Sequence, residues 1–166
     1  MLYSEQNTAL AIRVVELLNE NALKISTAES CTGGLLSSYI TAVSGASSVF
    51  DMGIVSYSAR AKQQLLRVNP TTIATFGTIS EKTAEEMAQG IRNLSNADIG
   101  VSVTGVAGPS TAEGKDVGTI YAAISHVGET RAIKLEIVER ERENIRQEVC
   151  FRILTLIINH FERGIF

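Results

Sequence analysis

Apolar positions along the chain fall into two alternating periods. From Glu5 to Asn19, Leu10, Val14, Leu17 and Leu18 keep helical spacing with Arg13 and Glu16 on the opposite face, which predicts a covering helix. The apolar run Ala22-Leu23-Lys24-Ile25-Ser26 predicts a strand leading into the small polar cluster Thr27-Ala-Glu-Ser-Cys-Thr-Gly-Gly34, and an amphipathic run from Leu35 to Val43 predicts a helix leading out of it. A turn-rich pentapeptide, Ser44–Ser48, precedes a β-type run over Val49–Tyr57, completing a β-α-β unit. A helix follows from about Ala59 and stops at Asn69-Pro70, because proline disfavours helical backbone in the residue before it. Thr71–Phe76 predicts one or two helical turns, and Ser80 caps a stronger helix with Met87, Ile91 and Leu94 as its buried stripe.

Asp98–Thr104 reads as a buried strand. Gly105–Gly114, rich in glycine and small residues, reads as a binding loop after it. Val117–Ser125 and Arg131–Val138 pattern as an antiparallel hairpin turning at Gly128-Glu129. A last helix spans Glu141 to about Phe161, with Ile145, Val149, Ile153, Leu156 and Ile157 inward. This alternation predicts an α/β protein, a three-layer α/β/α sandwich on a mixed, mostly parallel sheet with one antiparallel strand, formed as a single domain over 1–166. If the first three strands are parallel, Glu29 and Ser30, Tyr57 and Ser58, and Thr104 and Gly105 emerge at one edge, where open α/β sheets bind ligands.

Composition narrows the class. The 166 residues are 45% hydrophobic and 20% charged, ordinary for a globular domain. No apolar run approaches the roughly 20 residues of a membrane span, and the first residues do not form a signal peptide, which predicts a cytoplasmic protein without a membrane partner. A formal charge of -3 and a pI near 5.5 argue against nucleic acid as a partner and favour a small molecule. Cys31 and Cys150 match neither a disulfide framework nor a metal-ligand spacing, so no structural metal is expected.

The chemistry available near the crevice comprises Glu29, Ser30, Cys31, Ser47, Ser48, Tyr57, Lys62 and Thr104. His126 and His160 fall elsewhere, which disfavours a Ser-His-Asp arrangement. Serine-lysine chemistry remains, in which burial and a helix N-terminus keep a lysine neutral so that it can take the serine proton. The competing reading makes Lys62 a surface lysine and the Thr27–Gly34 cluster a helix capped by Ser30 or Thr32. Cys31 is a rival nucleophile without a histidine to assist it. Tyr57 suits either a core aromatic or a stack on a heteroaromatic ring. Arg142 and Arg146, one turn apart, reach a phosphate or carboxylate if the last helix begins beside the crevice.

Several stretches together resemble the CinA C-terminal domain family: Thr27–Gly34, Gly45-Ala-Ser47 with Phe50, Gly53-Ile-Val-Ser-Tyr57-Ser58 with Ala61-Lys62, Val103-Thr-Gly-Val-Ala-Gly-Pro109, Val117-Gly-Thr119, and Arg142 through Ile145-Arg146. The resemblance implies hydrolysis of the carboxamide of nicotinamide mononucleotide to nicotinate mononucleotide and ammonia, by a serine-lysine mechanism without metal or cofactor. It implies Ser30, Lys62 and Tyr57 as the catalytic group, with Ser47 a second candidate nucleophile. Glu29, Thr32, Gly33, Gly45, Ala46, Ser47, Thr104, Gly105 and Arg142 are the implied substrate-binding positions. The chain departs from the family's usual Lys-Pro at Lys115-Asp116, and from Gly-Asp-Arg at Arg140-Glu141-Arg142. A non-catalytic ligand-binding module and a competence- or damage-associated interaction protein are the alternative readings. Short apolar faces and a terminal hairpin further predict a homodimer.

Overall fold

A computed structural model describes residues 2–164. Its elements run α1 (Leu2–Glu20), β1 (Ile25–Glu29), α2 (Leu35–Thr41), a single 3₁₀ turn (Ala46–Ser48), β2 (Phe50–Val55), α3 (Ala59–Leu66), α4 (Pro70–Phe76), α5 (Glu81–Ser95), β3 (Ile99–Gly105), β4 (Ile120–His126), β5 (Glu129–Leu135) and α6 (Arg142–Arg163). The strand order is β2-β1-β3-β4-β5. β1 pairs in parallel with both β2 and β3, and β4 runs antiparallel to β3 and β5. The sheet is therefore mixed with β4 as its one reversed strand, as the sequence pattern predicts.

Two helical layers enclose the sheet. On one face Val14 and Leu18 of α1, Leu36 and Ile40 of α2, and Val149 and Ile153 of α6 pack on Ile25, Val101, Val103, Ile120 and Ala122. On the other face Leu66, Val68, Met87 and Ile91 gather over Ala28, and Ala84 and Ala88 of α5 pack on Ala123. Small residues let α5 lie close to the sheet. A Cβ on Gly100 would stand 2.2 Å from the Ala88 carbonyl oxygen, so only glycine fits there.

Local signals placed most of the helices. Ser58 Oγ accepts from the Ala61 N–H, Asn69 Oδ1 from Thr71, and Ser80 Oγ from Thr83, so three helices begin at residues chosen for capping. Strand boundaries differ more. Thr27-Ala28-Glu29, read as turn, belongs to β1, where Thr27 Oγ1 and Ser37 Oγ lie 2.7 Å apart and every residue is buried. Apolar periodicity misses a strand whose inward side chains are polar but hydrogen-bonded. β4 starts at Ile120 rather than Val117, because Gly118 N–H bonds the Val106 carbonyl at 2.8 Å and Val106 N–H bonds Thr119 at 2.9 Å, tying that segment to the loop.

Candidate active site

β1, β2 and β3 all end at one edge of the sheet, which brings Ser30, Tyr57 and Thr104 to a pocket of about 200 Å³. Ser30, Cys31, Tyr57, Thr78, Ile79, Thr104, residues 105–108, Ser110, Ala112 and Arg142 line it. A larger groove of about 500 Å³ between α3 and α5 holds Arg67, Lys82 and Glu86 and none of these groups.

Beneath the floor of the pocket lies Lys62, 1% exposed. Helical side chains lean towards the helix N-terminus, so from the fourth position of α3 this lysine reaches back to the strand ends. Its Nζ sits 3.0 Å from Ser30 Oγ and donates to the Ser56 carbonyl oxygen at 2.7 Å. No carboxylate pairs with it at contact distance among the described residues. Burial pushes its pKa from 10.5 down to about 8, with the negative charge that Cys31 would carry as a thiolate and that of Glu113 acting in the opposite direction. The surface-lysine reading is thus overturned, since the strand ends close over the side chain.

Ser30 is 8% exposed and faces the pocket. Its N–H is held by the Val103 carbonyl at 3.0 Å, anchoring the Ser30 backbone to β3. Cys31, its neighbour, is buried, and desolvation pushes its thiol up to about 12, the backbone hydrogen bonds around it offsetting only part of this. At neutral pH it stays a thiol, which makes it a poor nucleophile.

Glu29 does different work from that implied. Fully buried, its carboxylate accepts from the N–H groups of Gly34 (3.0 Å), Leu36 (3.1 Å) and Ser37 (2.8 Å), and from the Ser37 hydroxyl. It is the cap of α2, whose N-cap residue Gly34 has no side chain to offer, so neither Ser30 nor Thr32 serves as cap. The same bonds occupy the free amides at that helix start, which are therefore not open to a bound anion.

Thr32 and Gly33 lie on the turn but outside the pocket lining. Arg146 is drawn there too, its guanidinium donating to the Thr32 carbonyl at 2.8 and 3.3 Å and to Glu143 at 2.6 Å. Arg146 therefore holds the turn against α6, while Arg142 at the start of the same helix faces the pocket. Arg142 donates to Tyr57 Oη at 3.1 Å and to the Gly108 carbonyl. Tyr57 is 61% exposed, so it is a rim residue and not a core aromatic.

Gly45, Ala46 and Ser47 are not brought to this pocket. Their turn leads into β2 at the opposite edge of the sheet, where Ile25 N–H bonds the Val49 carbonyl at 2.8 Å and Ile25 pairs with Phe50. A parallel crossover must return the chain to the starting edge of the next strand, so a helix-to-strand loop cannot share an edge with the strand-to-helix turns. Thr104, 1% exposed, lines the pocket but gives its proton to the Thr78 carbonyl at 2.7 Å, leaving its oxygen as an acceptor. Thr78 and Ile79 escaped the sequence reading: they are short of motif, and only the packing of the α4–α5 connection against β3 brings them in. His126 and His160, set aside as remote, face each other 3.1 Å apart at the far edge.

The CinA C-terminal domain model matches residues 7–161. A competence-damage inducible protein of Thermoanaerobacter pseudethanolicus is 41% identical over 158 residues, covering 94% of this chain and 38% of that protein. A CinA-like protein of Chlorobium limicola is 50% identical over 125 residues, 75% of this chain and 29% of that protein. The chain thus spans well under half the length of these relatives. Among solved structures, competence damage-inducible protein A (ComA) of Klebsiella pneumoniae superposes with a TM-score of 0.91 at 30% identity, over 95% of this chain and 98% of that one. The competence/damage inducible protein CihA of Agrobacterium tumefaciens gives 0.88 at 35% identity, over 92% and 94%. With its sequence matched from residue 7 to 161 and its fold shared along nearly its whole length, this chain belongs to the CinA C-terminal domain family.

Proposed function

We propose that the chain is an amidohydrolase that deamidates nicotinamide mononucleotide, with Ser30 as nucleophile and Lys62 as its base. One observation carries this reading: a buried lysine, without a contacting carboxylate among the described residues, lies 3.0 Å from a serine that faces a pocket. A binding module of the same fold gains nothing from burying an amine there, since the desolvation it entails costs stability.

In the proposed cycle neutral Lys62 takes the Ser30 proton as Oγ attacks the carboxamide carbon. The lysine returns that proton to the leaving nitrogen as the C–N bond breaks, releasing ammonia and leaving a nicotinate ester on Ser30. Water then attacks the ester carbon, Lys62 accepts its proton, and the proton passes back to Oγ as the ester bond breaks. Tyr57 and Arg142 stand at the rim, where an aromatic ring and a guanidinium suit the heteroaromatic ring and phosphate of a mononucleotide.

Incubating the purified chain with nicotinamide mononucleotide and following ammonia together with nicotinate mononucleotide tests the proposal. Stoichiometric release of both, lost in Ser30→Ala, is the expected result. Release that persists in Ser30→Ala, or none from the unaltered chain, overturns it.

A further inference from the structure

One carboxylate outside the dyad joins two walls of the pocket. The loop after β3 reverses at Glu113-Gly114, where Ala112 N–H bonds the Lys115 carbonyl at 3.2 Å and Lys115 N–H bonds the Ala112 carbonyl at 2.9 Å. Both central residues have positive φ, +52° at Glu113 and +70° at Gly114. Such two-residue turns favour Asn or Asp before Gly, whose short side chains tolerate the left-handed backbone better than glutamate does. Here the longer side chain has a use. Oε1 accepts from the Thr78 N–H at 3.0 Å and the Thr78 hydroxyl at 2.6 Å, and Oε2 accepts from the Ile79 N–H at 3.2 Å.

The opposite wall is shaped to receive it. A Cβ on Gly77 would stand 2.3 Å from Glu113 Oε2, and Gly77 itself has a φ of +81° that other residues rarely adopt. Thr78 and Ile79 on one side, and Ser110 and Ala112 on the other, all line the pocket. The Thr78 carbonyl also receives the Thr104 hydroxyl, so this wall is bonded both to the loop and to β3.

We propose that Glu113 is a positioning residue for the Ser30–Lys62 dyad, its carboxylate locking the loop that follows β3 onto Thr78 and Ile79 and so fixing the pocket's shape beside Ser30. Its consequence for turnover rests on the amidohydrolase reading, whereas the lock itself does not depend on which amide is cleaved. Burial raises the Glu113 carboxyl, but the bonds from Thr78 and Ile79 and nearby Lys115 outweigh this and bring it below the usual range, so it is ionised at neutral pH. Lys62 meets Ser30 Oγ from the turn after β1 and the Ser56 carbonyl after β2, while the Glu113 charge acts on it from this loop without contact. Lys115, 3.9 Å from Glu113, is the cation on the loop's own side. An ionised Glu113 favours protonated Lys62, so loss of that charge makes the lysine easier to deprotonate.

Two substitutions separate shape from charge in the full chain. Glu113→Gln keeps the length and one acceptor but loses the charge; Glu113→Asp keeps the charge but is a methylene too short to reach both amides. Lys62 is titrated through its side-chain carbon signal in lysine-labelled protein, and amide hydrogen exchange is read at Thr78 and Ile79. The expected result is a Lys62 titration moved to lower pH in Glu113→Gln and little moved in Glu113→Asp. In each variant exchange should speed up about tenfold at the amide that loses its acceptor, the worth of one hydrogen bond to a charged group. KM for nicotinamide mononucleotide should rise by a similar factor. An unmoved Lys62 titration in Glu113→Gln, or unchanged exchange in both variants, overturns the inference. Should the unaltered chain release no ammonia while the titration and exchange respond as stated, the deamidase reading fails and the positioning role stands.

Discussion

The Ser56 carbonyl oxygen holds Lys62 Nζ at 2.7 Å, six residues along the chain, and thereby aims the amine at Ser30 Oγ. A neutral lysine uses one N–H for Ser56 and turns its lone pair to the serine hydroxyl; a protonated one can only donate to both. Under the proposed mechanism turnover therefore requires the neutral form. With Lys62 lowered to about 8, kcat/KM for ammonia release should climb about tenfold per pH unit below that value and level off above it. Initial rates between pH 6 and 10 check this, and a flat profile through pH 8 would remove Lys62 as the base.

The same lysine should weaken the fold. Its pKa is 10.5 when exposed and about 8 in the folded chain, so between these values the unfolded chain holds more protons. Stability then rises with pH across that window and is lowest, by about 3 kcal/mol from this group, below it. Lys62→Met should be inactive, more stable than the parent at pH 7, and without the rise between pH 8 and 10. Urea midpoints at several pH values measure this; parallel pH profiles for parent and variant would contradict it.

Ser30→Ala should lower kcat by at least about a thousandfold, since the covalent step goes with the hydroxyl, while affinity for the mononucleotide is kept. Ser47→Ala should leave kcat/KM within about twofold, because Ser47 precedes β2 at the opposite edge of the sheet. Single-turnover assays with both variants distinguish the serines, and the reverse ranking would move the nucleophile to Ser47.

Arg142 offers its guanidinium to Tyr57 and the Gly108 carbonyl at the pocket mouth. If it also meets the phosphate, Arg142→Ala should raise KM for the mononucleotide about tenfold or more, the worth of a charge-assisted bond, with a smaller effect on kcat. Nicotinamide riboside, which lacks the phosphate, should lose nothing by the same change. Equal losses for both compounds would assign Arg142 to holding the rim.

Much of this architecture is legible in the linear chain. The helical stripes of α1, α5 and α6, the cap at Ser80, and the alternation of strands with helices are local signals, and local signals survive without knowledge of tertiary contacts. The parallel direction of the first three strands then brings Ser30, Tyr57 and Thr104 to one edge, a conclusion that needs only strand direction.

What tertiary structure alone decided is how each polar side chain is used. Lys62 on α3 has the same spacing whether it is solvated or buried, and only the closure of Ser30 and Ser56 over it makes it a low-pKa amine. Glu29 sits beside Ser30 in sequence, yet its alternating direction in β1 turns its carboxylate to the amides of α2 and away from the pocket. Glu113 lies 35 residues from Thr78, and no pattern along the chain pairs them; their bond exists because the loop after β3 folds back across the start of α5. Sequence periodicity determines which faces are buried, whereas hydrogen-bond partners depend on distances that arise only when separate elements meet.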